Sequence, residues 1–435
     1  MAAAEMEIEM YEIDARLAER AQAGKPVLVS LIGCGQMGTD IIAQIDQMKG
    51  MEIPVVVDLN TDIALKSLEM AECKREYVIT NDPVEAEKAV DSGKMVITND
   101  WKIAVHLPQV EAVIDCTGSP VMGATITLEC INHKKHIVMM NVECDITIGP
   151  ILRQMAENAG IVYTLAAGDE PAAIMELYRF ANALGFTVVS AGKGKNNPLD
   201  MTATPDTLAE KAKARNMSPY MLCEFVDGSK TAIEMAAVSN ATGLVSDIQG
   251  MHGAKSTVDT LNKVFCPKED GGVLDRMGVV DFAIGVHPGV FLTITTENKR
   301  LRSSFIQRDM GDGPYYTLFR PFHLCSMEVP LTAAQAVLYK ESSGHPLKKL
   351  TSECIAVAKR QMKAGEKLDG IGGFCYRVSI DHAEVAAKEG YLPAGLAKGA
   401  VLKRDISIGE IITYDMVELS DSVLLQLRKI QNQMK

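Results

Sequence analysis

Along the first third of the chain, short apolar runs alternate with stretches whose hydrophobic positions recur every three to four residues. Val27-Leu-Val-Ser-Leu-Ile32 is the first run, Ile41, Ile42, Ile45 and Met48 then mark one face of a helix, and a second run closes on Asp58. The alternation continues through a helical stretch to Met70, a strand at Tyr77–Thr80, an acidic helix at Pro83–Val90, and strands at Met95–Thr98, Ala112–Cys116 and His136–Met140. Strands that alternate with helices call for right-handed crossovers, so the pattern predicts an α/β fold with a doubly wound parallel sheet over residues 1–165. The apolar spacing within Met1–Ala23 adds a leading helix.

The pattern then changes. Gly168-Asp169-Glu170-Pro171 reads as a helix start, an acid followed by Pro in the first turn, and Gly185 as its stop. Phe186–Ala191 reads as a strand that delivers Gly192-Lys193-Gly194-Lys195 as a turn. Mixed patterning follows to Tyr316, with strands near Phe282 and Val290, and then a helix over Met327–Lys340. Residues 166–345 are therefore expected to form an α+β substrate or dimerisation domain. The tail, 346–435, holds a weak repeat: Ala358–Leu368 and Leu402–Ile412 share basic residues, a Gly and an acid in the same order, which predicts a small β-rich domain.

Composition narrows the partners. The chain has 435 residues, 47% of them hydrophobic, and a formal net charge of −12 with Lys and Arg scattered, which argues against nucleic acid or an anionic membrane and for small molecules. Ten cysteines without C-x-x-C spacing read as thiols of a reducing cytosol, and Met1–Ala23 lacks the apolar core of a leader peptide, so a cytoplasmic protein is expected.

The chemistry starts at Gly33-Cys34-Gly35-Gln36-Met37-Gly38, which follows the first strand directly and opens the first helix. With an acid at the end of the second strand, this is the dinucleotide fingerprint: Gly33 for the tight turn, Gly35 for close approach of a pyrophosphate, Gly38 for helix–sheet packing. Asp58 favours NAD by bonding a ribose hydroxyl, while Lys66, Lys74 and Arg75 nearby keep NADPH open. Ligands bind beyond the carboxyl ends of such strands, which puts Thr117, Gly118, Asn141 and Glu143 beside the nicotinamide.

Outside the fingerprint the strongest segment is Asp227-Gly-Ser-Lys230-Thr-Ala-Ile-Glu234, where Asp227 or Ser229 caps a helix of small residues with Lys230 and Glu234 one turn apart. A lysine beside a carboxylate supplies charge and a proton to a developing oxyanion, so Lys230 is the first choice of catalytic group and Lys193 the second. Asn240 is a polar residue on the same helix, and Lys193 with Lys195 would clasp a phosphate or carboxylate unless they are solvated loop lysines. Arg320 and His323, among aromatics, would orient an anion; a core histidine is the plainer alternative. Glu143, Asp145, Asp169 and Glu170 follow strand ends and leave a divalent metal open, on spacing alone.

Six motifs, Ile32–Gly38, Asn141–Asp145, Ala167–Pro171, Ala191–Lys195, Asp227–Ala237 and Glu269–Val273, together resemble a homoserine dehydrogenase-related group that carries a C-terminal SAF domain, known from 1-deoxy-D-xylulose 5-phosphate reductoisomerase-like enzymes. The resemblance implies a homodimeric oxidoreductase whose best-known type uses NADPH in isoprenoid biosynthesis, making 2-C-methyl-D-erythritol 4-phosphate. It also implies that Lys193, Lys195, Asp227, Lys230 and Glu234 line the pocket, with Asp227 and Glu234 holding Lys230. True homoserine dehydrogenases carry a lysine where this chain has Val142-Glu143, which speaks against aspartate-semialdehyde as substrate. Three readings result: reductoisomerisation of deoxyxylulose phosphate, an NAD-dependent dehydrogenase or oxidoisomerase of a sugar acid, and a non-catalytic nicotinamide-sensing scaffold. In the first two the substrate is a small, sugar-derived anion.

Overall fold

The computed structural model describes residues 12–434. The leading helix runs over Glu12–Gln22, and the part of that expectation covering residues 1–11 lies outside the described residues. An 8-stranded sheet follows, built from β1 (Val27–Ile32), β2 (Met51–Glu52), β3 (Val55–Val57), β4 (Tyr77–Ile79), β5 (Met95–Thr98), β6 (Ala112–Asp115), β7 (His136–Met139) and β8 (Tyr163–Leu165). The strand order is β4-β5-β3-β1-β6-β7-β8, all parallel, with β2 beside the start of β1. Chain direction across the sheet reverses at β1, so a crevice opens beyond the carboxyl ends of β1 and β6.

A second, 5-stranded sheet has the order β10-β11-β9-β12-β13, from β9 (Thr187–Lys195), β10 (Val245–Ser246), β11 (Val279–Ile284), β12 (Val290–Thr295) and β13 (Tyr315–Arg320). Helices Glu170–Ala183 and Ser229–Thr242 pack against it and each other, while Val189, Val279 and Phe291 meet Leu261, Phe265 and Leu274 in a separate small core. Gly192–Lys195 is not the turn that its glycines suggested but the end of β9, paired with β11 throughout and with β12 as far as Lys193. Its glycines answer to close approach instead: a Cβ on Gly192 would stand 2.3 Å from the Asp281 carbonyl oxygen, and one on Gly194 2.2 Å from that of His287. The helices Pro205–Ala214 and Pro219–Val226 were not legible in the mixed pattern, nor was β13.

In the tail, β14 (Ser352–Ala358) and β15 (Tyr376–His382) form an antiparallel pair, and β16 (Val401–Leu402) pairs β17 (Val417–Glu418). The repeat is a structural one. Met362 and Ile406 exchange backbone hydrogen bonds of 2.9 Å, the Gly365 N–H donates to Leu402 and the Gly409 N–H to Ala358, and Arg360–Glu366 is matched by Arg404–Glu410.

The C-terminal helix Val423–Gln431 leaves this region to dock on helix Val142–Ala159, which kinks at Ile148 just before Pro150. The kink separates the Thr147 carbonyl from the Ile151 N–H, a pair that an unbroken helix would join. Gln431 stands in for both: its amide nitrogen donates to the Thr147 carbonyl at 3.1 Å and its oxygen accepts the Ile151 N–H at 3.1 Å. Arg428 adds a second donor to Thr147 and pairs with buried Glu353 of β14. Among the described residues no helix is long and apolar enough to cross a membrane.

Candidate active site

The fingerprint turn has the geometry that its glycines require. Gly33 adopts φ +104°, and a Cβ there would lie 2.6 Å from the Cys116 carbonyl oxygen; one on Gly38 would lie 2.1 Å from the Gly33 oxygen. Gly35 differs, since a Cβ there would meet nothing within 4 Å. It is the N-cap of helix Gln36–Asp46 with no side-chain cap, so the first N–H groups of that helix face open space at a positive dipole end, as an anionic pyrophosphate requires. The residues present therefore fit a dinucleotide.

Asp58 is turned toward this turn: one carboxylate oxygen accepts the Cys34 N–H at 3.0 Å and the other the Asn60 N–H at 3.1 Å. Arg75 pairs with Glu52 at 2.5 Å, beside β2 and the start of β1, and so is tied down at the opposite edge from the fingerprint. Met37, Cys116, Gly118 and Met140 line the cavity that opens here. Asn141 does not join them. It is buried, and its amide donates to Asp115, Thr117 and the Ser119 carbonyl, which makes it a brace under the β6 loop.

The cavity, about 660 Å³, runs from these residues into the second domain and ends against the C-terminal region. Four segments bring charged groups to its wall: Glu143 after β7, Asp169 and Glu170 at a helix start, Lys230 and Glu234 on helix Ser229–Thr242, and His323 after β13, with Lys193 of β9 behind them. The Lys193 ammonium is bonded to both Glu170 and Glu234. Lys230 Nζ lies 3.9 Å from Glu143 and 4.0 Å from Glu234, its side chain 20% exposed toward the cavity. His323 donates from Nδ1 to the Gly168 carbonyl at 3.1 Å and presents Nε2 to Glu170 at 3.6 Å; the Cys325 thiol donates to Asp169 at 3.5 Å.

Electrostatics separates these groups. Burial and the neighbouring Glu170 push the Glu234 carboxyl up to about 8, and burial lifts Asp169 to about 6. Burial acts on Glu170 too, but Lys193 and His323 override it and hold that carboxylate below its usual range. Burial disfavours charge on Lys230, yet Glu143, Asp169 and Glu234 outweigh it, so the lysine stays an ammonium ion far above neutral pH. The result is a proton-bearing cation in a cleft, beside a carboxyl that titrates near neutrality.

Several expected contacts are absent from this cluster. Asp227 does not hold Lys230; it accepts the Ser229 N–H at 2.8 Å and pairs at 2.5 Å with Lys359, a buried lysine from the C-terminal region. The helix cap is Gly228, in the left-handed region. Asn240 is buried away from the cavity and accepts the N–H groups of Thr351 and Ser352, pinning the start of β14. Arg320 pairs with Glu328 at 2.6 Å and Glu176 at 3.5 Å, and Lys195 donates to the Phe225 carbonyl. Neither side chain lines the cavity, and Lys193 and Lys195 do not form an open anion clasp because both are buried strand residues with partners.

A divalent ion fits poorly. Asp169, Glu170 and Glu234 present oxygens within 4.8 Å of one another, but the Lys193 ammonium already joins two of them, and Asp145 points elsewhere, accepting the Tyr163 hydroxyl at 2.8 Å. Sequence reasoning missed Glu224, which lines the cavity from helix Pro219–Val226 and is pushed up to about 8 by burial and by Glu143. It also missed the wall supplied by residues 370–425; no local signal announces that a distant domain returns to a site.

Comparison with known proteins follows this division. Residues 33–165 match the model of the homoserine dehydrogenase NAD-binding domain, residues 168–329 that of the catalytic domain of oxidoreductase DRL, and residues 355–418 that of the SAF domain. No curated protein matches the chain. Among solved structures, an NAD binding oxidoreductase from Klebsiella pneumoniae aligns at 17% identity and TM-score 0.29, over 41% of this chain and 46% of its own, so the chain spans less than half of that relative. A DOX-P reductoisomerase in complex with magnesium aligns at 14% identity and TM-score 0.37, over 74% of this chain and 72% of its own. GenD2 from gentamicin A biosynthesis, in complex with NAD, aligns at 13% and 0.36, over 73% and 87%. The three domain matches set a homoserine dehydrogenase-type NAD-binding domain, an oxidoreductase DRL catalytic domain and a SAF domain one after another along the chain.

Proposed function

We propose that this chain transfers hydride reversibly between NAD and the carbinol or carbonyl carbon of a small oxygenated molecule, with Lys230 handling the proton at the reacting oxygen. The observation that carries the reading is Lys230 itself, a cation open to the cavity between Glu143 and Glu234, in a space that Met37, Gly118 and Met140 also line. A nicotinamide held at the fingerprint would supply or accept the hydride; in the reductive direction Lys230 stabilises the growing oxyanion on the substrate and gives it a proton. Glu234, whose carboxyl titrates near 8, then returns a proton to Lys230. In oxidation Lys230 takes the proton from the substrate hydroxyl and passes it to Glu234.

The orientation of Asp58 and the engagement of Arg75 by Glu52 support NAD over NADP. Of the enzyme readings drawn from the sequence, dehydrogenation is better supported than reductoisomerisation of deoxyxylulose phosphate. The latter keeps Lys230 and Glu234 but loses the phosphate clasp assigned to Lys193 and Lys195. Domain limits at 165 and 345 belong to this proposal, as does a homodimer. Nicotinamide absorbance recorded over a panel of ketones, polyols and their phosphates tests it: turnover that survives Lys230→Ala removes the assignment.

A further inference from the structure

Hydride transfer at Lys230 uses the charged part of the cavity lining and leaves its apolar part without a role. Two elements face each other there. Helix Pro219–Val226 turns Met221 and Phe225 toward it, and the C-terminal region contributes Ile371, Leu396 and Leu419. Met221, Phe225, Ile371 and Leu419 are only half-buried, so apolar side chains on both walls present surface to a space that no other described part of the chain fills. Apolar walls with a few convergent polar groups are what a small-molecule pocket needs.

Charge beside these apolar walls is sparse. Among the described C-terminal residues, Lys398 is the one charged side chain that lines the cavity, exposed and with its stem over Gly370. On the facing helix stands Glu224, close enough to Glu143 to feel its charge and mostly protonated at neutral pH. The lysines that would have received an anion are held elsewhere, Lys193 by Glu170 and Glu234 and Lys195 by the Phe225 carbonyl. A phosphate or carboxylate on the substrate body would thus meet hydrocarbon and carboxyl groups, and the one half-buried lysine among the described lining residues, Lys230, already faces Glu143 and Glu234.

We infer that the substrate is uncharged: a secondary alcohol or its ketone, whose oxygenated end reaches Lys230 and whose alkyl or aryl body lies between helix Pro219–Val226 and the C-terminal region. This rests on the proposed hydride transfer for the end that faces Lys230. It gives the SAF-bearing tail a function as the wall that selects the substrate body, anchored by the Gln431 and Arg428 contacts to the helix that carries Glu143.

The test is calorimetric binding to the NAD-loaded protein of three probes that share a glycol head: glycerol, glycerol 3-phosphate and 1-phenyl-1,2-ethanediol. The phenyl glycol should bind on the order of tenfold tighter than the others, as expected for burial of a phenyl ring. Leu419→Ser and Ile371→Ser should each erase most of that preference, with affinity for NAD unchanged, and Leu419→Met should keep it. Tightest binding by glycerol 3-phosphate, no binding of the phenyl glycol, or a preference that survives both serine changes would overturn the inference. Failure of the catalytic assignment looks different: turnover survives Lys230→Ala while the binding order stands.

Discussion

The two ends of the cavity are built by opposite means. At the β1–β6 end the working groups belong to the backbone, and three glycines within six residues shape them. At the other end the working groups are side-chain charges, carried there by segments as far apart in sequence as Glu143 and His323. A backbone site tolerates change poorly but is local; a charge cluster is spread over the fold, and each member's state depends on the rest. Substitutions should therefore fail in different ways at the two ends.

The largest effect belongs to the charge cluster. Lys230→Met removes the one ammonium in the charged part of the cavity lining and should lower kcat by roughly 10³-fold, within the range for loss of a general acid that also stabilises an oxyanion. Affinity for the reduced nicotinamide, read by fluorescence titration, should hold. Equal losses in both would mean that the lysine supports cofactor binding and not the proton step.

A buried pair outside the cavity gives the contrast. Asp227→Ala leaves Lys359 without its carboxylate in a site where the lysine side chain is 1% exposed, so denaturant unfolding should show a loss of about 3–5 kcal/mol. Turnover per folded molecule should stay near wild type, because Asp227 faces the C-terminal region and not Lys230. A kcat loss that matched Lys230→Met would return Asp227 to the catalytic group.

These two residues also show what the sequence could reveal. The Rossmann fold, the fingerprint and the repeat of the tail were legible because each is written in local spacing, and so was the pair Lys230 and Glu234, one helical turn apart. Partner choice was not. Asp227 stands three residues from Lys230 and pairs with Lys359 across the fold, while Lys193 crosses to Glu170 and Glu234 from a strand that its glycines disguised as a turn. Asn240 was singled out for being polar on a helix of small residues; the reason is a structural one, two backbone N–H groups at the entry to β14.

Smaller effects are expected at the fingerprint, where two glycines three residues apart should separate stability from binding. Gly38→Ala places a methyl 2.1 Å from the Gly33 oxygen and should lower the melting temperature of the cofactor-free protein. Gly35→Val has open space around its side chain and should leave that temperature close to wild type, yet cut NAD affinity by tenfold or more because the branched group stands where the pyrophosphate lies. Equal behaviour of the two variants would break the division of roles between them.

The smallest effect tests the wall formed by helix Pro219–Val226 through pH. Burial and the nearby Glu143 raise the Glu224 carboxyl to about 8 in the folded chain, above its ordinary range near 4.5. A raised carboxyl stabilises the fold while it stays protonated, so its contribution is complete below about pH 4.5 and is lost as pH climbs through 8. Glu224→Gln keeps the shape and removes the titration. The two proteins should melt together below about pH 4.5, and the variant should draw ahead as pH climbs to 8 and keep that lead above it. Glu234 shares the same direction of shift but sits against Lys193 and Lys230, so Glu234→Gln would strip a partner from both lysines and confound the readout. Glu224 has no ion pair among the described residues, so replacing it strands no lysine, and its pH profile reads the balance of burial and Glu143 against Lys230 at that carboxyl.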